Sequence, residues 1–165
     1  MLCYSWYAFL GYGGGNTIRI YMDVCCMNRP FDDLSQDRVQ FEADAVLAVL
    51  SRCKSGKWTL VSSEVVDLES SKSSNRERLN KVRTLCSIAK ERLIIDEDVT
   101  ERAMEFQRCG IKVMDSLHLA VAETHAIDVF LTTDDNFLRA VKRIKTNITV
   151  ANPVVWLMEV LQHER

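Results

Sequence analysis

The 165-residue sequence has few of the features that mark non-globular proteins. It contains only two prolines and six glycines, which argues against a disordered or collagen-like chain. It also lacks an apolar run of the ~18 residues that a membrane-spanning helix needs. Basic and acidic residues number 21 and 23, so any affinity for nucleic acid must come from local patches rather than from net charge.

The six cysteines do not show the paired spacing of a zinc site. Cys25 and Cys26 are adjacent, which suits a buried strand end better than a disulfide. A chain of this length can bury a sizeable core without disulfide bonds. We therefore expect reduced thiols and a cytoplasmic location.

The first regular pattern begins after residue 16. Residues 1–10 are apolar and aromatic, but they lack the basic start of a signal peptide and are followed by a glycine-rich stretch. We expect 1–16 to be a flexible N-terminal extension, with a signal peptide as the alternative. Residues 17–165 are expected to form a single domain.

Short apolar stretches alternate with amphipathic ones over the rest of the chain. The predicted strands span 17–26, 58–61, 129–132 and 148–150, with 93–95 as either a strand or a packed connection. The predicted helices span 37–55, 64–69, 76–91, 98–110, 115–125, 136–144 and 154–163. This alternation predicts an α/β domain with a mainly parallel sheet, whose functional residues are expected at the carboxyl ends of the strands.

Four acidic residues fall where such a sheet would gather them. Asp23 lies near the end of the first predicted strand, and Asp134 follows the strand 129–132. Glu69 shares a helix face with apolar residues, and Asp115 opens an apolar helix. Asp115 alone is also consistent with a helix-start acid and Asp134 with a turn residue, but Asp23 is costly to bury unless its charge is compensated.

Four carboxylates at one edge of a sheet would repel one another and raise one another's pKa. A divalent cation such as Mg²⁺ would resolve this conflict because it binds carboxylate oxygens, and it can activate water and stabilise a phosphate oxygen. We therefore predict a metal site formed by Asp23, Glu69, Asp115 and Asp134. The prediction would be wrong if Asp23 and Asp115 lay on opposite sides of the molecule.

The segments that carry these acids resemble, in order, the four motifs of PIN-domain nucleases, which include the VapC-type toxins of bacterial toxin–antitoxin pairs. The four segments are 22–33 (MDVCCMNRPFDD), 61–69 (VSSEVVDLE), 115–120 (DSLHLA) and 131–137 (LTTDDNF). Asn152-Pro153, followed by a short helix, is similar to the C-terminal end of the family. The resemblance covers roughly 17–160.

The resemblance implies a three-layer α/β/α PIN-like domain with a central sheet of about four to five strands. It implies hydrolysis of RNA phosphodiester bonds with Mg²⁺ or Mn²⁺, with Asp23 and Asp115 as the principal ligands. Glu69, Asp134 and Thr132 would complete the site or position water. It also implies that the chain is a homodimeric toxin that is held by an antitoxin protein and is not bound to a membrane.

Neighbouring acids leave part of this assignment open. Glu64 and Asp67 stand close to Glu69, and Asp135 is an alternative to Asp134. His118 follows Asp115 by one helical turn, so we expect a buried histidine that holds this acid, with a general base as the alternative.

Two basic clusters flank the motifs. Residues 70–92 carry seven lysines and arginines against two glutamates, and 139–145 carry four basic residues and no acid. Solvated helix faces and contacts with phosphate both explain such clusters. The candidate substrate-binding residues are Arg29, Arg76, Lys81 and Arg139.

The main hypothesis is thus a metal-dependent endoribonuclease acting as the toxin of a toxin–antitoxin pair. The alternative is a catalytically inactive PIN-like module that binds RNA or protein, against which the presence of all four acids argues. A phosphatase with an aspartate nucleophile is disfavoured because Cys25 stands two residues after Asp23, where that chemistry uses a second aspartate.

Overall fold

The computed structural model describes residues 17–164, so the extension predicted over 1–16 lies outside the described residues. The strands are β1 (Arg19–Met22), β2 (Thr59–Ser63), β3 (Glu91–Leu93), β4 (Val129–Leu131) and β5 (Val150–Ala151). They form one sheet in the order β3-β2-β1-β4-β5, and each neighbouring pair is parallel. The prediction of a parallel sheet is therefore confirmed.

Within 17–164 the strands alternate with eight α-helices and one 3-10 turn at Arg29–Phe31. The helices are α1 (Val24–Asn28), α2 (Asp37–Lys54), α3 (Glu64–Ser70), α4 (Arg76–Cys86), α5 (Glu97–Arg108), α6 (Val113–Thr124), α7 (Asp135–Val141) and α8 (Pro153–His163). None of the helices in this part of the chain has both the length and the apolar character needed to cross a lipid bilayer.

The alternating side chains of β1 separate two hydrophobic cores. Ile20 and Met22 pack with α2 and α8 on one face of the sheet, whereas Tyr21 packs with α3, α5 and α6 on the other. All three side chains are fully buried. A strand that is buried on both faces needs helices on both sides, and this gives the predicted three-layer α/β/α arrangement.

The predicted strand over 17–26 is too long. β1 ends at Met22, and the chain then turns into α1, with Asp23 as its N-cap. Cys25 and Cys26 therefore lie on a buried helix and not at a strand end. The sequence suggested a strand because short, continuous apolar runs look alike in a buried strand and a buried helix.

The predicted helix over 76–91 is also too long. α4 ends at Cys86, and Glu91 already belongs to β3, where it pairs with Val61 of β2. The third strand thus starts two residues before the 93–95 stretch. Pairing with β2 overrides the helical pattern of the sequence here, since tertiary contacts outweigh local propensity.

Glu42 on α2 is a carboxylate that is only 1% exposed. Its oxygens lie 2.8 Å from Arg29 Nε and 3.0 Å from Arg38 Nε, and Asn152 Nδ2 donates to it at 2.9 Å. These contacts fasten the 3-10 turn after α1 and the start of α8 to α2. A buried charge is tolerated when several partners compensate it. Removing that charge destabilises the protein, because it leaves the buried partner charges uncompensated.

Replacing Glu42 by alanine should therefore lower the free energy of unfolding by about 2–4 kcal/mol. This is less than the loss expected when both partners of an ion pair are buried, because the Arg38 side chain is half exposed and water can solvate its charge. The exposed Asp44 on the same helix provides a matched control, and D44A should cost less than about 0.5 kcal/mol. Urea denaturation of both variants measures the difference. Equal losses would contradict the role assigned to Glu42.

Candidate functional site

The sheet topology delivers the predicted acids to one edge. Asp23 directly follows β1, Asp134 comes three residues after the end of β4, and Glu69 lies on α3, which follows β2. Because β1 lies between β2 and β4 and all three run parallel, their carboxyl ends meet at the same edge of the sheet. This is where parallel sheets place their functional residues.

Asp23 is 7% exposed. Its Oδ1 accepts a hydrogen bond from the backbone N–H of Cys26 at 3.0 Å and lies 2.7 Å from Cys25 Sγ. Burial raises the pKa of Asp23 well above its usual value, the Cys25 thiol adds to this, and His118 acts in the opposite direction. A carboxylate in this setting needs positive charge close by if it is to remain ionised.

Asp134 and Thr132 belong to one turn at the end of β4. Asp134 caps α7, and its Oδ1 accepts from the backbone N–H groups of Asn136 and Phe137 at 2.8 and 3.1 Å. The buried Thr132 hydroxyl accepts from the backbone N–H of Asp134 at 3.1 Å and lies 3.4 Å from Cys25 Sγ. The first and fourth motifs are therefore in direct contact through Thr132 and Cys25.

Asp115 lies in the first turn of α6 and is partly buried. Burial raises its pKa, and the negative charges of Asp134 and Glu69 raise it further, whereas His118 and Lys112 lower it. His118 also acts on the pKa of Asp23. Asp23 and Asp115 thus share His118 as an electrostatic neighbour.

His118 connects the second and third motifs, but not as predicted. Its side chain is buried, with Nε2 2.7 Å from Glu69 Oε2 and Nδ1 2.6 Å from the Tyr21 hydroxyl. The expected hydrogen bond to Asp115 is replaced by one to Glu69. Helical spacing puts His118 and Asp115 on one side of α6, but it says nothing about the acid that faces them from α3.

The acids that neighbour the motif residues have other partners. Asp67 pairs with Arg92 Nη2 at 2.6 Å, and Glu64 accepts from the backbone N–H of Ile95 at 2.9 Å. Asp135 forms two hydrogen bonds of 2.7 Å with Arg38, and these lower its pKa. The choice of Glu69 over Glu64 and Asp67, and of Asp134 over Asp135, stays a prediction.

Asp23, Cys25 and Cys26 bring one oxygen and two sulfur atoms within 4.8 Å of one another. In the part of the chain that the structure describes, no three of the four predicted carboxylates approach one another as closely. Cys25 is not among the site residues that the sequence predicts. Its position two residues after Asp23 could have indicated a place in the site. The sequence predicted a strand over 17–26, however, and a strand does not contain the turn into α1 that brings Cys25 next to Asp23.

Cys25 is an unusually acidic thiol. The neighbouring Cys26 lowers its pKa to about 6, and contacts with Asp23, Thr132 and Thr133 act in the same direction against the effect of burial. The backbone N–H of Thr133 donates to Cys25 Sγ at 3.3 Å. Thiolate character is therefore expected at this edge of the sheet near neutral pH.

A groove of about 410 Å³ starts beside these groups. It is lined by Cys25, Asn28, Arg29, Asp32, Ser73, Arg78 and Thr133. Arg78 donates from Nε to Asn28 Oδ1 at 2.8 Å and pairs with Asp32. Arg78 was part of the basic run 70–92 but was not one of the predicted substrate-binding residues.

The four predicted substrate-binding residues have different settings. Arg29 lines the groove while pairing with Glu42. Arg76 begins α4 with an exposed side chain, and Lys81 on the same helix pairs with Glu77 at 2.8 Å. Arg139 is exposed on α7.

A model of the PIN domain matches residues 40–143, which is more than half of the chain. The chain belongs to the PIN domain family. The matched span contains Glu69, Asp115 and Asp134, and it begins after Asp23.

Solved structures share the fold of this PIN domain. DNA-bound VapBC from Salmonella typhimurium is 17% identical, with 83% of this chain and 99% of that chain covered and a TM-score of 0.58. VapBC2 from Rickettsia felis bound to a promoter DNA fragment is 18% identical, with 82% and 98% of the two chains covered and a TM-score of 0.54. A toxin–antitoxin complex from Klebsiella pneumoniae is 18% identical, with 81% and 97% of the two chains covered and a TM-score of 0.52. At these identities the likeness is one of fold. No curated protein sequence matches the chain.

The acidic thiol gives a test of this geometry. In metal-free protein at pH 7, iodoacetamide should modify Cys25 faster than Cys53 and Cys86, because burial raises the pKa of both of the latter to about 11. The Cys25 rate should fall as the pH drops through about 6 and should level off above it. Peptide mass spectrometry measures each site, with the exposed Cys109 as an internal reference. A Cys25 rate that still rises between pH 7 and pH 9 would contradict the assignment.

Proposed function

We propose that this PIN domain is a Mg²⁺- or Mn²⁺-dependent endoribonuclease and the toxin of a toxin–antitoxin pair. The observation that carries the proposal is the electrostatic coupling of the predicted acids: Asp134 and Glu69 both raise the pKa of Asp115, and Asp115 and Asp23 share His118 as a neighbour. Burial raises the pKa of Asp23 and of Asp115, so both carboxyl groups gain if a cation compensates their charge.

The residues fit a hard divalent cation. Carboxylate oxygens are the ligands that Mg²⁺ and Mn²⁺ prefer, and we assign Asp23 and Asp115 as the principal ones. Glu69 and Asp134 complete the site. When bound, the cation would activate water and offset the charge that develops on a phosphodiester during hydrolysis.

The protein contributes rigid placement of these oxygens. Asp23 is held by the backbone N–H of Cys26, and Asp134 by two N–H groups at the start of α7. The Thr132 hydroxyl is fixed beside them by the backbone N–H of Asp134, where we propose that it orients water. Groups that are already oriented do not have to reorganise during the reaction, and this lowers the barrier.

We propose that the groove beside Cys25 receives the RNA backbone. Arg29 and Arg78 line it and carry the guanidinium groups that bind phosphate oxygens, while both also pair with Asp32. The exposed side chains of Arg76, Lys81 and Arg139 would extend this contact along the strand. Such contacts hold a phosphate backbone without reading its base sequence.

The partner and the compartment complete the proposal. The similar structures named above include toxin–antitoxin complexes, which supports an antitoxin as the protein partner, and we propose a homodimer as the toxin's own state. Free thiols at all the described cysteines fit a reducing cytoplasm. The second candidate is an inactive RNA- or protein-binding PIN module, and it is favoured by the finding that within residues 17–164 no three of the four carboxylates lie within 4.8 Å of one another.

Removal of one carboxylate charge tests the site. D23N and D115N should each lower kcat/KM for cleavage of a fluorogenic RNA by at least about 100-fold in Mg²⁺ and should weaken Mn²⁺ binding in calorimetry. D134N should also lose activity, whereas D135N should stay within about threefold because Asp135 pairs with Arg38.

These outcomes separate the two candidates. Full activity in both D23N and D115N would exclude the proposed active site. Wild-type protein that binds RNA but neither binds Mn²⁺ nor cleaves would favour the inactive module.

The basic residues are tested through salt dependence. R76Q, K81Q and R139Q should each reduce the slope of log K against log salt for single-stranded RNA by about 0.7, since each removes one phosphate contact. Fluorescence anisotropy in EDTA measures binding without cleavage. Lys57 provides the control because it lies in the turn before β2, at the opposite edge of the sheet. K57Q should leave the slope unchanged, and an equal effect of K57Q would refute the assignment.

A further inference from the structure

A buried chain of hydrogen bonds links the start of α3 with Glu69 near its end. The backbone N–H of Val66 donates to Ser63 Oγ at 3.3 Å, and Ser63 Oγ lies 2.7 Å from the Tyr21 hydroxyl. The Tyr21 hydroxyl lies 2.6 Å from His118 Nδ1, and His118 Nε2 lies 2.7 Å from Glu69 Oε2. This series of hydrogen bonds therefore starts at α3, runs through side chains at the end of β2, on β1 and on α6, and ends at Glu69 on α3.

Donors and acceptors fix the direction of this chain. The Glu69 carboxylate only accepts, so the hydrogen must be on His118 Nε2. We assign the neutral imidazole to this network, because an imidazolium would also donate from Nδ1 and would reverse the remaining hydrogen bonds. In the neutral form Nδ1 accepts from Tyr21, and the Tyr21 oxygen accepts from the Ser63 hydroxyl. Each donor is used in this direction. In the reverse direction the hydrogen of the buried Ser63 hydroxyl would have no acceptor among residues 17–164.

The position of these hydrogen bonds indicates that they orient the Glu69 side chain. Ser63, Tyr21 and His118 are almost fully buried, and the Tyr21 ring packs edge-on against Phe130 with centroids 5.0 Å apart. Apolar side chains would fill this core without hydrogen-bonding requirements. The Glu69 side chain, in contrast, is 35% exposed near the end of a seven-residue helix, where it would otherwise sample several rotamers.

We propose that Tyr21 and His118 are positioning residues for Glu69. Tyr21 fixes the tautomer of His118, and the Nε2–H of His118 then holds Glu69 Oε2, which leaves Oε1 for the cation. The inference rests on the proposed function only in giving Glu69 a role at the metal site. The tautomer and the hydrogen bond do not depend on that function.

Two substitutions of His118 separate its two contacts. In H118Q the amide nitrogen can take the place of Nε2 and still donate to Glu69, whereas the shorter side chain of H118N can reach only the Tyr21 side. We expect kcat to stay within about fivefold in H118Q and to fall by about 10–100-fold in H118N, with KM nearly unchanged in both. Mn²⁺ affinity should follow the same order. Equal losses in the two variants would overturn the proposal, because both remove the same ring from the core.

A measurement without activity completes the test and does not need an altered His118. Long-range ¹⁵N–¹H NMR spectra of metal-free wild-type protein should show His118 with its hydrogen on Nε2, and Y21F should shift the Nδ1 resonance toward that of a nitrogen without a hydrogen bond. A hydrogen on Nδ1 with a bare Nε2 would overturn the inference even if the protein cleaves RNA. The expected tautomer in a protein without ribonuclease activity would instead count against the proposed function alone.

Discussion

The buried carboxyl group of Asp23 at the end of the central strand is the constraint on which the edge of the sheet depends. β1 is covered on both faces, so its last side chains have little access to water, and burial alone raises the pKa of Asp23. The backbone N–H of Cys26 compensates part of the charge, and it is available because the chain turns into α1 directly after the strand. The parallel neighbours β2 and β4 then bring further acids to a place that already favours positive charge.

The sequence predicted the place of the acids better than their partners. Strand ends can be located from apolar runs, and a parallel sheet gathers such ends, so the sequence places Asp23 and Asp134 at one edge, whereas Glu69 and Asp115 are expected there only because they lie on otherwise apolar helices. The hydrogen bond between His118 and Glu69 depends on how α6 and α3 pack against each other, and residue spacing along one helix does not predict that packing. The position of Cys25 was missed for a local reason, because an apolar strand and an apolar helix look alike over so few residues.

Both helical layers brace the edge with buried polar groups. On one side, Glu42 holds Arg29 and Arg38, and Arg38 reaches across to Asp135, the residue after Asp134. On the other side, Tyr21 and His118 lead to Glu69. Polar groups in a core require complete hydrogen bonding and stabilise less than apolar packing does, so their presence on both faces is better explained by the placement of the acids than by stability.

Protons and cations compete for the same carboxyl groups, and this competition links the fold to the proposed chemistry. Asp115 has a raised pKa first because it is partly buried and then because Asp134 and Glu69 are close. A proton on Asp115 relieves that repulsion, and so does a divalent cation, but only the cation leaves the oxygens available as ligands. The folding of three parallel strands would therefore supply, at the proposed site, both the negative charge that attracts a cation and the burial that raises the pKa values of its carboxyl groups. For the proposed cation, acid would weaken binding at a higher pH than it would for the same carboxyl groups in water, because the pKa values of Asp23 and Asp115 are raised.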